Sequence, residues 1–140
     1  MSPLPNIEPV TLLVMLCALT FGRQAFYAIY VFVGLEFLLY GFGMWSISYL
    51  YIWLIPAAGA MLLRRTRSRW PFALFAAAFG LAFGALTAIA YLFVGGWAAA
   101  ISYWTAGIAF DLIHCAGNFV ITALLLPPLR TLLERLTNKL

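Results

Sequence analysis

Apolar residues fill long runs of this chain instead of marking one face of each element. The runs cover Pro9–Gly22, Gln24–Gly43, Trp45–Leu63, Pro71–Val94 and Trp97–Leu126. A helix that crosses a bilayer needs about 20 such residues. The pattern therefore predicts an all-α, polytopic membrane helix bundle with five to six transmembrane helices. One integral membrane domain covers 1–140, with segments at about 9–22, 24–43, 45–63, 71–94 and 105–126. The run from Trp97 to Leu126 is too long for one return crossing. Its first part, to Trp104, is rich in Ala, Ser and aromatics and is expected to form an outer loop or re-entrant segment. The return helix should end at Pro127-Pro128, and Pro128 suits the first turn of a new helix. Leu129, Leu132, Leu133 and Leu136 give the tail 128–140 an amphipathic face, for the membrane surface or a partner.

Composition sharpens this picture. Only 9% of residues are charged, against about 25% in soluble domains, and the mean hydropathy is +1.03. No soluble domain fits beside the apolar runs. The segment Met1–Glu8 has no basic stretch and no small-residue cleavage site, so no signal peptide is expected. Cys17 and Cys115 lie in apolar runs, are expected as free buried thiols, and lack zinc spacing. Basic residues gather at Arg64, Arg65, Arg67 and Arg69 and at Arg130, Arg135 and Lys139. Clusters beside apolar spans are the positive-inside signature rather than a nucleic-acid site. Loop 64–69 and the C-terminus are placed in the cytoplasm of a multi-pass prokaryotic plasma-membrane protein. Arg23 is then cytoplasmic, and the turn from Tyr40 to Trp45 lies outside.

Against this background the polar residues inside apolar segments stand out. Asp111, His114 and Asn118 are spaced i, i+3, i+7, which places them within about a 60° arc of one helix face. Thr122 extends the stripe. Asp111 should lie about 10 Å below the outer start of its helix. Glu36, one turn before Tyr40, falls at similar depth. An ionisable side chain facing lipid costs about 2.5–3.5 kcal/mol, so a shared outward-facing pocket holds both acids better than two separate sites. A helix–helix polar clamp and a proton relay through His114 remain open for the same residues. Trp45, Tyr49 and Trp53 recur at i, i+4, i+8 and suit either an interfacial aromatic belt or stacking on a flat ligand. Ala76, Gly80, Gly84 and Ala88 form a small-residue stripe that lets a neighbouring helix approach closely, within this chain or on another subunit. No catalytic motif is present. The expectation is a non-enzyme with no catalytic residues, no metal and no cofactor.

The run Gly107-Ile108-Ala109-Phe110-Asp111-Leu112-Ile113-His114-Cys115-Ala116-Gly117-Asn118, followed by Pro128-Leu129 and a basic helix end, resembles the last membrane helix of the S-components of energy-coupling factor (ECF) transporters. Their pattern there is roughly G-x-x-F-D-x-x-H-x-x-x-N. Tyr40–Trp53 is similar to the outer loop and next helix of that group, and the resemblance covers about Pro9 to Leu136. It implies capture of a vitamin or related small nutrient from outside. Delivery would require a separate coupling subunit and two ATPase subunits. It also implies six helices, whereas five strong segments are found here, and Pro9–Gly22 lacks the AxxxA contact motif of the family's first helix. The stripe Ala76–Ala88 then becomes a candidate sliding surface.

Taken together, the expected function is substrate capture for an ECF-type importer. The candidate ligand contacts are Glu36, Tyr40, Trp45, Tyr49, Trp53, Asp111, His114 and Asn118. The alternatives are a proton-coupled small transporter or channel, and a membrane adaptor or assembly protein that docks through Gly80 and Gly84.

Overall fold

Glycine and proline set several of the helix boundaries. The computed structural model describes residues 8–137. The expectations for Met1–Ile7, and for the last residues of the tail including Lys139, lie outside them. Helices α1 (Val10–Phe21), α2 (Ala25–Tyr40), α3 (Met44–Ile52), α4 (Leu54–Leu63) and α5 (Trp70–Thr137) follow in order. No strand occurs among the described residues. Gly22 (φ 56°) ends α1 with its N–H donated to the Ala18 carbonyl. A single 3-10 turn, Gly22–Gln24, then leads into α2. Gly41 (φ 76°) ends α2 in the same way, on Phe37. Both glycines occupy a left-handed region that other residues rarely enter. The break between α3 and α4 falls at Trp53 because Pro56 has no N–H for the Ile52 carbonyl four residues earlier.

The 68-residue α5 contains one residue off helical geometry, Gly96 at φ 70° and ψ −170°. Its consequence is large. The Gly84 N–H donates to Asp111 Oδ1 at 2.9 Å although the two lie 27 residues apart. In a straight helix that separation spans about 40 Å. The Tyr91 and Tyr103 rings stack at 4.1 Å. Helix α5 is thus two arms, 70–95 and 97–137, folded back on each other at Gly96. Helices α1 and α2 fold likewise at Gly22, where Val10, Val14 and Cys17 share an apolar cleft of about 210 Å³ with Ala28, Ile29 and Phe32.

This corrects the expected five to six separate spanning helices. Three helical stretches are long and apolar enough to cross a membrane: Val10–Tyr40, Met44–Leu63 and Trp70–Thr137. A second correction concerns 97–104, expected as an outer loop or re-entrant segment and found helical. Ala98, Ala99 and Ala100 are strong helix formers, and the Thr105 hydroxyl bonds back to the Ile101 carbonyl at 2.8 Å.

Pro127-Pro128 does not end the helix either. Pro127 removes the N–H that would reach the Ala123 carbonyl. The Arg69 guanidinium, arriving from the preceding loop, donates to that carbonyl at 3.3 Å instead. Arg130, one turn further on, donates to the carbonyls of Thr66 (3.0 Å) and Arg64 (3.4 Å). Loop 64–69 and the end of α5 therefore sit together at one end of the molecule. The core lies between these elements, with Trp53, Phe72, Leu12, Met15 and Ile52 fully buried and α1 packed against α4 and α5.

Two outcomes follow for purified protein in detergent micelles, followed by circular dichroism during thermal or denaturant unfolding. A Cβ on Gly80 would lie 2.8 Å from the His114 carbonyl carbon and oxygen, whereas nothing approaches one on Gly107. Gly80→Ala should therefore cost about 1–3 kcal/mol, and Gly107→Ala should be neutral or stabilising by up to about 1 kcal/mol. Equal stability of the two variants would contradict the close approach of the arms. Arg69→Ala should cost about 1 kcal/mol in the parent chain and less when Pro127 is also replaced by Ala, because the Ala123 carbonyl then regains a backbone donor. Zero coupling between these two sites would assign the Arg69 effect to its stacking on Trp70, 4.9 Å away.

Candidate functional site

The polar stripe faces inward. Asp111, His114, Asn118 and Thr122 are all at least 95% buried, while Phe110, Leu112 and Ile113 between them are about half exposed. The surface opposite is the small-residue stripe on arm 70–95. The His114 backbone lies against Gly80, and a Cβ on Gly84 would overlap the Asp111 carboxylate. Ala76 and Ala88 are buried as well. Both sequence alternatives for this stripe meet a definite geometry: its neighbour is the second arm of the same helix. That leaves the stripe no open face for sliding on, or docking to, another subunit.

Two different environments occur along the polar stripe. Asn118 Nδ2 donates to Thr11 Oγ1 and to the Ala76 carbonyl, both at 3.2 Å. It ties α1 to both arms of α5 and is a clamp. One and two turns nearer Gly96 the chemistry is unfinished. Asp111 Oδ1 accepts from Gly84 N–H, but Oδ2 has no hydrogen-bond partner, and neither do the two ring nitrogens of His114. The imidazole is held by rings alone, with Phe83 at 4.8 Å and Phe79 at 6.4 Å between centroids. Leaving such groups unpaired in a buried site costs about 1–3 kcal/mol each. A binding site concentrates that kind of cost.

The aromatic positions form a ladder leading to this point. Phe37 contacts Trp45, Trp45 contacts Tyr49, and Tyr49 contacts Trp53, at centroid distances of 5.7, 5.0 and 5.4 Å. Trp53 continues to Phe83 at 6.0 Å. This changes the expectation of Trp53 as a face for stacking on a ligand. Only 1% of it is exposed, and Phe32 and Tyr49 both meet it edge-on. Its Nε1 is a further buried donor without a partner. Trp45 and Tyr49 are half-buried, and Tyr40, 73% exposed, turns away from the group.

Glu36 is half-buried on α2. Tyr49 lies within electrostatic reach of Glu36, Glu8 and Tyr103, and Tyr103 within reach of Asp111. Sequence reasoning missed Glu8, Tyr103, Phe79 and Phe83. Glu8 falls at the end of the N-terminal segment Met1–Glu8, outside the apolar runs. Its rarity as one of four acids, directly before the proline that opens α1, was the available signal. Phe79 and Phe83 carry no polar mark. The described residues contain no group of three or more His, Cys, Asp or Glu placed to hold a metal ion. No protein-family model, curated protein or solved structure matches this chain.

Burial, and then the neighbouring Glu36 carboxylate, push the Glu8 carboxyl above its ordinary value of 4.5. A raised carboxyl favours the folded state while protonated, and that contribution fades as pH rises through the folded value. Glu8→Gln should therefore raise the unfolding temperature at neutral and mildly alkaline pH. The difference from the parent chain should vanish below pH 4.5. A pH-independent difference would show that Glu8 acts by packing alone.

Proposed function

We propose that this chain is the substrate-capture subunit of an ECF-type importer. It takes a vitamin or related small nutrient from outside and delivers it with a separate coupling subunit and two ATPase subunits. One observation carries the proposal: Asp111 Oδ2 and both His114 ring nitrogens are buried without hydrogen-bond partners, one helical turn apart on one face. A segment needed only for rigidity gains nothing from such groups, whereas a ligand that bonds to them recovers their desolvation cost. The resemblance of Gly107–Asn118 to the S-component pattern supports the same conclusion, because Asp111 and His114 are its D and H. Its N, Asn118, has the structural task of fastening α1.

The accompanying architecture is an all-helical membrane bundle whose long apolar stretches are folded back at Gly22 and Gly96. The protein resides in a prokaryotic plasma membrane with loop 64–69 and the end of α5 in the cytoplasm, as the positive-inside rule directs. Glu36 and Tyr49 line the approach from outside. The chain itself hydrolyses nothing.

Native mass spectrometry of the purified full chain should reveal a retained small molecule. Asp111→Asn should lose it while keeping the circular dichroism spectrum, since Asn can still accept from the Gly84 N–H. Undiminished retention in that variant would refute the site. A proton-coupled carrier and a membrane adaptor both predict that nothing is retained.

A further inference from the structure

The charges of the chain are sorted by end. Of its four acids, Glu134 pairs with Arg130 and Arg67 at 3.2 and 3.5 Å. Glu8 and Glu36 lie within electrostatic reach of Tyr49, and Asp111 bonds to the Gly84 N–H. Every described basic residue lies elsewhere. Arg64, Arg65, Arg67, Arg69, Arg130 and Arg135 are on loop 64–69 or the end of α5. Arg69 reaches Ala123, which is about 18 Å along the helix from Asp111. Arg23 sits in the turn before α2, about 20 Å along that helix from Glu36.

No described basic residue therefore lies beside Asp111, Glu36 or Glu8. Asp111 is 5% exposed, with a single backbone donor on one oxygen, and the imidazole beside it has no partner on either nitrogen. One N–H bond only partly offsets the cost of taking a carboxylate out of water. A bound positive charge removes that deficit. The half-buried Trp45 and Tyr49 add ring surface, which attracts cations as well as flat apolar groups. A buried acid with no base beside it, next to the Phe83 and Phe79 rings around His114, is the chemistry of an organic-cation site.

We propose that the captured nutrient is a cation, a protonated amine, an amidine or a positively charged heteroaromatic ring, whose charge is held by Asp111 while Glu36 and Glu8 form an electronegative entrance. This rests on the capture function proposed above and narrows its substrate class. His114 then contributes hydrogen-bonding selectivity rather than charge.

An isosteric series tests the sign of the ligand. Purified full-length protein in detergent micelles is titrated with benzamidinium, benzamide and benzoate at constant ionic strength, and thermal unfolding is followed. Benzamidinium should raise the unfolding temperature and the other two should not. Asp111→Asn should weaken the benzamidinium effect by about tenfold or more in concentration, the size expected for loss of a charge-assisted contact. Glu36→Gln, at a half-buried position tolerant of the change, should weaken it by a smaller factor. Benzamide or benzoate stabilising as strongly as benzamidinium would overturn the cation assignment. If that stabilisation were lost in Asp111→Asn, capture at this site would stand. A benzamidinium effect unchanged in both variants would overturn the assignment by placing the cation elsewhere. No effect from any probe would overturn it too, leaving a proton as the neutralising charge, and retention of a molecule in native mass spectrometry would then decide separately for or against capture.

Discussion

The contact on which the rest depends is the close approach of the two arms of α5 across Gly80 and Gly84. In a membrane, helices gain little from excluding water, because lipid is as apolar as their own side chains. What holds them is packing at short range and polar bonds across the interface. Glycine supplies both here. At Gly80 it lets one backbone lie against another, and at Gly84 it leaves room for a carboxylate to reach an N–H. A hydrogen bond to a charged group returns about 1.5–3 kcal/mol, similar to the cost of about 2.5–3.5 kcal/mol of placing an acid at the centre of a spanning helix. One bond therefore makes Asp111 tolerable without making it comfortable.

That incomplete compensation separates the two halves of the stripe. Asn118 spends its amide donors on α1 and on the opposite arm, so its removal would loosen three elements together. Asp111 and His114 hold nothing together beyond the Gly84 contact. Buried polar networks that serve structure are satisfied throughout, because a partly satisfied network is worse than an apolar core. Local violations of that rule are expected where function requires them. The aromatic ladder has a comparable division. Its outer members, Trp45 and Tyr49, remain half-buried, while Trp53 is locked in the core at the break that Pro56 creates, and transmits packing from α2 and α3 to the rings around His114.

Much of this was legible in the sequence. The membrane class, the inward polar stripe and the small-residue stripe all follow from periodicity and spacing, because lipid imposes simple rules on every position of a helix. The fold-back at Gly96 was legible only in part. Glycine marks a boundary there, but the Ala-rich stretch after it, expected as a loop, has helical propensity and forms a helix. Pro127-Pro128 misled for a different reason: the carbonyl freed by Pro127 is satisfied by Arg69, 54 residues earlier, a partner that no local rule can name. The same limit applies to Trp53. Spacing placed it on a ladder with Trp45 and Tyr49, but its burial depends on Phe32 and Phe83 from other helices.

The distribution of charge joins orientation to chemistry. The positive-inside rule draws arginines to one end of a polytopic chain, and here they do structural work there, satisfying the carbonyls of Ala123, Thr66 and Arg64. Every guanidinium used to fix that end is one that cannot neutralise Asp111, about 18 Å away along the helix. Adding a lysine or arginine near the acids would compensate them, but it would also weaken the charge asymmetry between the two ends of the chain. The uncompensated acids are therefore the counterpart of the basic end. In the function proposed above, a positive charge that arrives with a ligand and departs with it compensates Asp111 and leaves the asymmetry intact, whereas a fixed one compensates the acid at the expense of the asymmetry.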